Sequence, residues 1–225
     1  MKILGYSERG IINSLIFSIG EDKTLMREFI KLIKIPEIEE SRDSITDYTI
    51  FLEQSFSRFG DSDLVIILEY ENPEHKKVLF IEGKVKTSQS KKWDLENQFK
   101  KFEREEKYIG SSSNLFFQLY LKKLLFDNCN EGDFALGIEE PRFKENRKIG
   151  NNKVVLKAIS LVRECQEAYY IGLIPSNEED VTTFSGKTDF KIHFLSWFHV
   201  HEFCKKEERL KKVIEIFDYN EGQIY

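Results

Sequence analysis

The sequence predicts an α/β fold in which a mixed sheet is flanked by helices. Three observations carry that expectation. Two runs of branched and aromatic residues, 60–68 and 78–86, surround the polar turn Asn72-Pro73-Glu74-His75 and read as a β-hairpin. Stretches with apolar residues at helical spacing stand before and after the hairpin. Later strand-like runs at 168–175 and 190–197 are separated from it by helical segments, which gives the order expected of a sheet with helical connections.

Each element has its own warrant. Ser7 caps a helix over 8–19, where Ile11, Ile12, Leu15, Ile16 and Ile19 recur on one side, and Gly20 ends it. A second helix is expected over 22–35, stopped by Pro36, and the acidic stretch 37–47 reads as a solvated loop. A first strand over 48–59 leads through Gly60 into the hairpin. After a polar link at 87–92 come a helix over 93–107, a break at Gly110 and a helix over 113–126, with Ser111-Ser112-Ser113-Asn114 as its cap region. Residues 134–138 read as a short strand and 141–152 as a basic loop. Val154, Val155, Ala158, Ile159, Leu161, Val162 and Cys165 mark an amphipathic helix. The strand at 168–175, a polar connection at 176–187, the strand at 190–197 and a charged helix around 203–217 complete the chain. With no internal repeat and no long linker, 1–225 is read as one domain, its core about 1–107 and its periphery 108–225.

Composition narrows the function classes. A chain of 225 residues with 40% hydrophobic content can bury a core without staples. The net charge of −5 argues against bulk polycation behaviour but leaves room for a local basic face. Cys129, Cys165 and Cys204 are odd in number and form no CxxC pair, so they read as reduced thiols in a cytoplasmic protein. No stretch is long and apolar enough for a bilayer span, so no membrane partner is expected. Neither a GxxxxGK[ST] loop nor a GxGxxG turn is present, which removes a nucleotide-driven motor and a dinucleotide site.

The hairpin carries three ionisable residues that its apolar setting does not explain: Asp63, Glu82 and Lys84. Burying an unpaired charge is costly, so charges inside strands call for a reason. Strand residues two apart share a face, which puts Glu82 and Lys84 together. A tip centred between Pro73 and Glu74 sets Asp63 opposite Lys84 and diagonal to Glu82, with Cβ atoms about 5 to 8 Å apart. A one-residue slip would send Asp63 to the other face. Two carboxylates and an ammonium at that spacing suit phosphodiester hydrolysis. Carboxylates hold Mg²⁺ together with substrate oxygens, the metal lowers the pKa of a bound water, and the lysine orients the water or offsets negative charge. Burial lowers the lysine's pKa and the carboxylates raise it, and the sequence leaves that balance open. The bland alternative is a turn acid at Asp63, with Asp61 as the other acid available, and a solvated strand face at Glu82 and Lys84.

Asp63 followed by Glu82-Gly83-Lys84 on the next strand resembles the PD-(D/E)xK nuclease superfamily, over roughly residues 1–107. The resemblance implies a restriction-endonuclease-like mixed sheet and Mg²⁺ held by Asp63, Glu82 and the Gly83 carbonyl, with Mn²⁺ able to substitute. It implies hydrolysis of DNA, with endonuclease action expected. Glu8, in Ser7-Glu8-Arg9-Gly10, is similar to the helix-borne acid that many members use as a further ligand. Gln98 to Phe102 is similar to the Q-x-x-x-Tyr helix motif of the RecB-like branch. Phe102 replaces the tyrosine, so only Gln98 is carried over. Ser62 stands in place of the usual proline. Many such domains work as homodimers. The rival from another class is a nuclease-like fold kept as a non-catalytic module that binds nucleic acid or protein.

Two further groups of residues bear on function. Lys84, Lys86, Lys91, Lys92, Lys100, Lys101, Arg142, Lys144, Arg147, Lys148 and Lys153 would contact phosphates beside a cut, or simply form a solvated surface. His199, His201 and Cys204, with His193 nearby, offer zinc-type ligands, but no second cluster completes a site, so they read as satisfied histidines. Trp197 and Phe198 read as core.

Overall fold

A computed structural model describes residues 4–5, 7–86, 93–104, 113–129, 134, 136–140, 142, 145–175, 181, 188–220 and 222–225. The expected link at 87–92, the break at Gly110, the serines at 111–112 and nearly all of the connection at 176–187 lie outside the described residues, as does the end of the helix expected to reach 107.

The centre is a five-stranded mixed sheet in the order β1-β2-β3-β6-β7. Strands β1 (Ile45–Ser55), β2 (Asp61–Tyr70) and β3 (Lys76–Gly83) form an antiparallel meander. Strands β6 (Glu167–Ile174) and β7 (Ile192–Ser196) continue the sheet parallel to β3. A separate two-stranded ribbon, β4 (Ile138–Glu140) with β5 (Glu145–Arg147), lies within the stretch expected to be mostly loop. Helices α1 (Glu8–Ile19), α2 (Lys23–Ile30), α7 (Trp197–Lys206) and α8 (Lys211–Tyr219) pack on one face of the sheet over Leu64, Ile66, Leu79 and Ile81. Helices α4 (Leu95–Glu103), α5 (Leu115–Cys129) and α6 (Lys153–Arg163) cover the other face over Val65, Ile67, Val78 and Phe80. Because both faces are covered, β2 and β3 read as continuous apolar runs instead of alternating ones.

Local chemistry sets the ends of several elements. Ser7 Oγ accepts from Gly10 N at 2.9 Å, and Gly20, at φ 59°, closes α1 in a left-handed conformation that favours glycine. Asp94 and Asn152 cap α4 and α6 in the same way as Ser7, and Asn114 Oδ1 accepts from Phe117 N at the start of α5.

Three expectations are corrected. The second helix ends at Ile30, where tighter bonds from Leu32 N to Phe29 O and from Ile33 N to Ile30 O take over. Pro36 does not stop that helix. It opens the short α3 (Pro36–Glu39), because a proline's fixed φ suits the first helical position, while Ile35 before it is extended. The acidic stretch is accordingly α3, a 3-10 turn over Arg42–Ser44 and the start of β1, anchored by buried Ile38 and Ile45. The charged helix expected around 203–217 is two helices, separated by extended Glu207 and a 3-10 turn at Glu208–Leu210, whose Leu210 is buried.

The hairpin register differs from the centred one in an informative way. The tip turn forms where expected, with His75 N bonded to Asn72 O at 2.9 Å. Tyr70 and Glu71, however, remain with β1: Tyr70 pairs with Ile45, and Glu71 N donates to Ser44 O. The β2–β3 ladder therefore runs Leu64↔Ile81 and Val65↔Phe80, two residues away from the centred pairing. A shift of two preserves the face, so Asp63 stays on the side of Glu82 and now falls across from it instead of from Lys84.

Candidate metal centre

The three charged residues of the hairpin meet where β3 ends beside parallel β6. Asp63, Glu82 and Lys84 are all buried, with Glu82 at 0% exposure. Gly83 N donates to Asp63 Oδ2 at 2.8 Å, which fixes one carboxylate oxygen against the turn of the strand. Arg9 Nε donates to Asp63 Oδ1 at 2.9 Å, and Arg9 also reaches Glu53 at 3.8 Å. Glu53 sits beside Asp63 on β1, between the pairs Leu52↔Leu64 and Gln54↔Ser62, with a positive φ of 49° that a non-glycine residue rarely adopts. Its side chain accepts from Asn13 of α1.

Glu82 is held differently. Lys122 Nζ, from α5, lies 3.5 Å from Glu82 Oε1, an ion-pair separation, and among the described residues neither Glu82 oxygen has a hydrogen-bond partner. Lys122 is itself fully buried and donates to Phe59 O at 3.0 Å. Burial pushes the Glu82 carboxyl up to about 7; Lys122 and Lys84 draw it back down and Asp63 adds to the rise. Burial pushes the Lys122 ammonium down, against the pull of Glu82.

Lys84 is clamped through its backbone. Its N–H donates to Leu173 O at 2.8 Å, continuing the β3–β6 ladder, and its carbonyl accepts from Trp197 Nε1 at 2.7 Å. Among the described residues its ammonium makes no ion pair within 4 Å, while its charge helps draw the Glu82 carboxyl down.

The remaining expected residues fall as follows. Glu8 is the first residue of α1 and packs over Gly83: a Cβ added at Gly83 would come within 2.9 Å of Glu8 Cβ and 3.3 Å of Ile12 Cδ1. The glycine thus permits α1 to approach the strand. Glu8 arrives on the α1 side of β3, whereas the Glu82 side chain lies on the α5 side with Lys122. Among the described residues no three acids, histidines or cysteines gather as a metal-holding group. Gln98 Oε1 accepts from Leu115 N at 3.2 Å and its carbonyl accepts from Asn114 Nδ2 at 2.7 Å, so the residue ties α4 to the start of the helix that carries Lys122. Phe102 is core, packed on Phe116 and Tyr120.

Of the histidine group, His201 Nδ1 contacts Tyr225 Oη at 2.7 Å and its ring stacks on Phe217, while Cys204 is fully buried. Trp197 is core, and Phe198 is exposed. All three cysteines are free and buried. Lys91, Lys92 and Lys144 lie outside the described residues, and Lys100, Lys101, Lys148 and Lys153 are exposed. Among the described residues no helix is long and apolar enough to cross a membrane.

Sequence reasoning missed Arg9, Lys122 and Trp197. Lys122 had a signal: it stands seven residues after Leu115 and three after Leu119, on the buried stripe of α5. Arg9 and Trp197 had none beyond adjacency to Glu8 and membership of an apolar run. Comparison of the chain with protein-family models, curated proteins and solved structures finds no match.

Asp63 and Glu82 thus share one buried locus with Lys84 and Lys122, and half-exposed Arg9 stands at its edge.

Proposed function

We propose that this chain is a Mg²⁺-dependent phosphodiesterase that hydrolyses DNA, on a restriction-endonuclease-like core of the PD-(D/E)xK kind. One observation carries the reading: Glu82 is fully buried and, beyond its ion pair with Lys122, both its oxygens lack a hydrogen-bond partner among the described residues, across from Asp63 and two residues before the clamped Lys84. Unsatisfied buried carboxylate oxygens are expensive, and a coordinated cation is the ligand that satisfies them. The three antiparallel strands followed by two parallel ones, with helices on both faces, suit that core.

The donor set fits a small hard cation. Glu82 offers both oxygens, and Asp63 keeps one lone pair on each oxygen beyond its bonds to Arg9 and Gly83. Asp63, Glu82 and the Gly83 carbonyl would hold the ion, and Mn²⁺ meets the same oxygen ligands. When bound, Mg²⁺ supplies a water of lowered pKa and charge for the phosphate oxygens. The protein's own residues do the rest. Gly83 N and Arg9 hold Asp63 in place. The Trp197 and Leu173 contacts fix the Lys84 backbone, so its ammonium meets the attacking water or the negative charge that develops on the phosphate. Burial excludes bulk water from Glu82. Three buried, unpaired cysteines suit a reducing compartment such as the cytoplasm.

A second reading has an observation of its own. Asp63 is already paired with Arg9 and Glu82 with Lys122, which suits a nuclease-like fold kept as a binding module. Nicking of supercoiled plasmid separates the two. The enzyme nicks in Mg²⁺ and not in EDTA, and Glu82→Ala or Lys84→Ala abolishes nicking while circular dichroism shows the fold retained. Absence of nicking in Mg²⁺ and Mn²⁺ supports the module, and full activity of Lys84→Ala overturns the assignment.

A further inference from the structure

A cleft of about 300 Å³ opens beside the candidate centre, lined by Arg9, Arg58, Lys122 and Arg147 with Asp61 as the acid among its described lining residues. The cations come from four separate elements: α1, the 3-10 turn at Ser57–Phe59, α5 and β5. On a protein with a net charge of −5, four cations converge on one cleft; Arg9, Lys122 and Arg147 are each ion-paired with an acid at its edge, and Arg58 is the cation of the four with no ion pair among the described residues. Two of the four also belong to the centre. Arg9 bonds Asp63 at 2.9 Å and Lys122 lies 3.5 Å from Glu82, so the cleft and the acids share those two walls.

The other two cations are placed by the fold. Arg147 lies over the Phe117 ring at 5.5 Å and donates to the Arg58 carbonyl, with a second bond to Glu145; its Nε is buried without a hydrogen-bond partner. Arg58 is exposed, and among the described residues its guanidinium makes no ion pair. Ser57, at a φ of 58°, holds the turn that presents Arg58 in a conformation non-glycine residues rarely adopt.

We propose that this cleft is the phosphate subsite of the nucleic-acid strand, seating a backbone phosphodiester next to the one attacked at Asp63 and Glu82. The inference rests on the nuclease reading for the word substrate, but the cation geometry stands by itself. Guanidinium groups match phosphate oxygens in a fork, and the cleft presents three of them, with Arg58 exposed and without an ion pair among the described residues while fully buried Lys122 backs the cleft. Of the four, only Arg147 belongs to the basic residues noted in the sequence, because the cleft is assembled by topology.

Arg58→Ala and Arg58→Glu test the subsite, with Lys206→Ala, exposed on α7, as control. Binding of a short fluorescein-labelled DNA duplex is followed by anisotropy against salt in EDTA, and KM and kcat for the same duplex are measured in Mg²⁺. The expected result is a binding loss of about three- to ten-fold for Arg58→Ala and more for the glutamate. The slope of log affinity against log salt should fall by about one, and KM should rise with kcat unchanged. An unchanged slope and KM in a protein that cleaves overturns the subsite and leaves the nuclease. Loss of slope in a protein that never cleaves keeps the subsite and removes the catalysis. A wild-type chain that binds no duplex overturns the subsite outright.

Discussion

Lys122 Nζ stands 3.5 Å from Glu82 Oε1, and both side chains are fully buried. A buried pair of this kind is seldom there for stability alone, because desolvating two charges offsets most of their attraction. Here the lysine does something specific: it favours the ionised form of a carboxyl that burial pushes up to about 7. Lys122→Met should therefore raise Glu82 further and move the midpoint of the pH–activity profile upward. The Mg²⁺ concentration for half activity should rise most below neutral pH, since protons and cation compete for the carboxylate. A purely structural lysine would lower activity equally at every pH, so a profile of unchanged midpoint contradicts the assignment.

The same carboxyl makes stability depend on pH in the metal-free protein. Its folded pKa lies above the ordinary value of 4.5, so its contribution is fully present below that value and lost as pH rises through about 7. Glu82→Gln removes the titration. The difference in unfolding free energy, variant minus wild type, should grow between pH 5 and pH 8, by on the order of 3 kcal/mol at most. Lys122 titrates with the opposite sign: burial lowers its pKa, so its contribution to stability returns as pH rises, and more so in the variant that lacks its partner, which widens the same difference. Denaturant melts of both proteins at several pH values measure this; a constant difference would refute the buried-titration account.

Trp197 acts on Lys84 through the backbone, its Nε1 donating to the Lys84 carbonyl at 2.7 Å, and not through the ammonium. Trp197→Phe keeps an aromatic ring in the core but leaves the Lys84 carbonyl without its donor. A loss of about 1–3 kcal/mol in stability is expected. Single-turnover cleavage should slow with KM unchanged, because the strand end that aims the ammonium is loosened. An equal change in KM and kcat would place Trp197 in packing alone.

Gly83 is required by the approach of α1. Gly83→Ala would set a Cβ 2.9 Å from Glu8 Cβ and should cost about 1–3 kcal/mol. Glu8→Ala would not rescue it, since alanine keeps the offending Cβ, whereas Glu8→Gly should recover part of the loss measured by thermal melts in the double variant. Rescue by Glu8→Ala would mean that the clash lies elsewhere.

What was legible in the sequence follows from where charge contrasts with its surroundings. Asp63, Glu82 and Lys84 stood out because they interrupt apolar strands, and their common face survived an error of two residues in register because strand faces repeat every two. The covered sheet, the caps at Ser7, Asn114 and the hairpin tip were likewise local facts. Arg9 and Lys122 were hidden because their partners are remote, 54 residues away in the case of Arg9 and Asp63. Lys122 also sits beside Lys123 in a helix that is apolar nearly all round, so its spacing from Leu115 and Leu119 was a signal, while the adjacent lysine made the pair look like a solvent-facing edge. The stretch 37–47 misled because its many charges masked Ile38 and Ile45, the two residues that anchor it. The mixed charges of 203–217 concealed the break at Glu207 for the same reason.

The central claim is that Asp63 and Glu82 together hold a divalent cation, with Lys84 beside it. The most direct measurement is a crystal structure of the chain soaked in Mn²⁺, read by its anomalous signal. The account expects a Mn²⁺ peak bound by carboxylate oxygens of Asp63 and Glu82, Lys122 withdrawn from Glu82, and Lys84 facing the metal-bound water. No anomalous peak at saturating Mn²⁺, with Lys122 still on Glu82 and Arg9 still on Asp63, would contradict it.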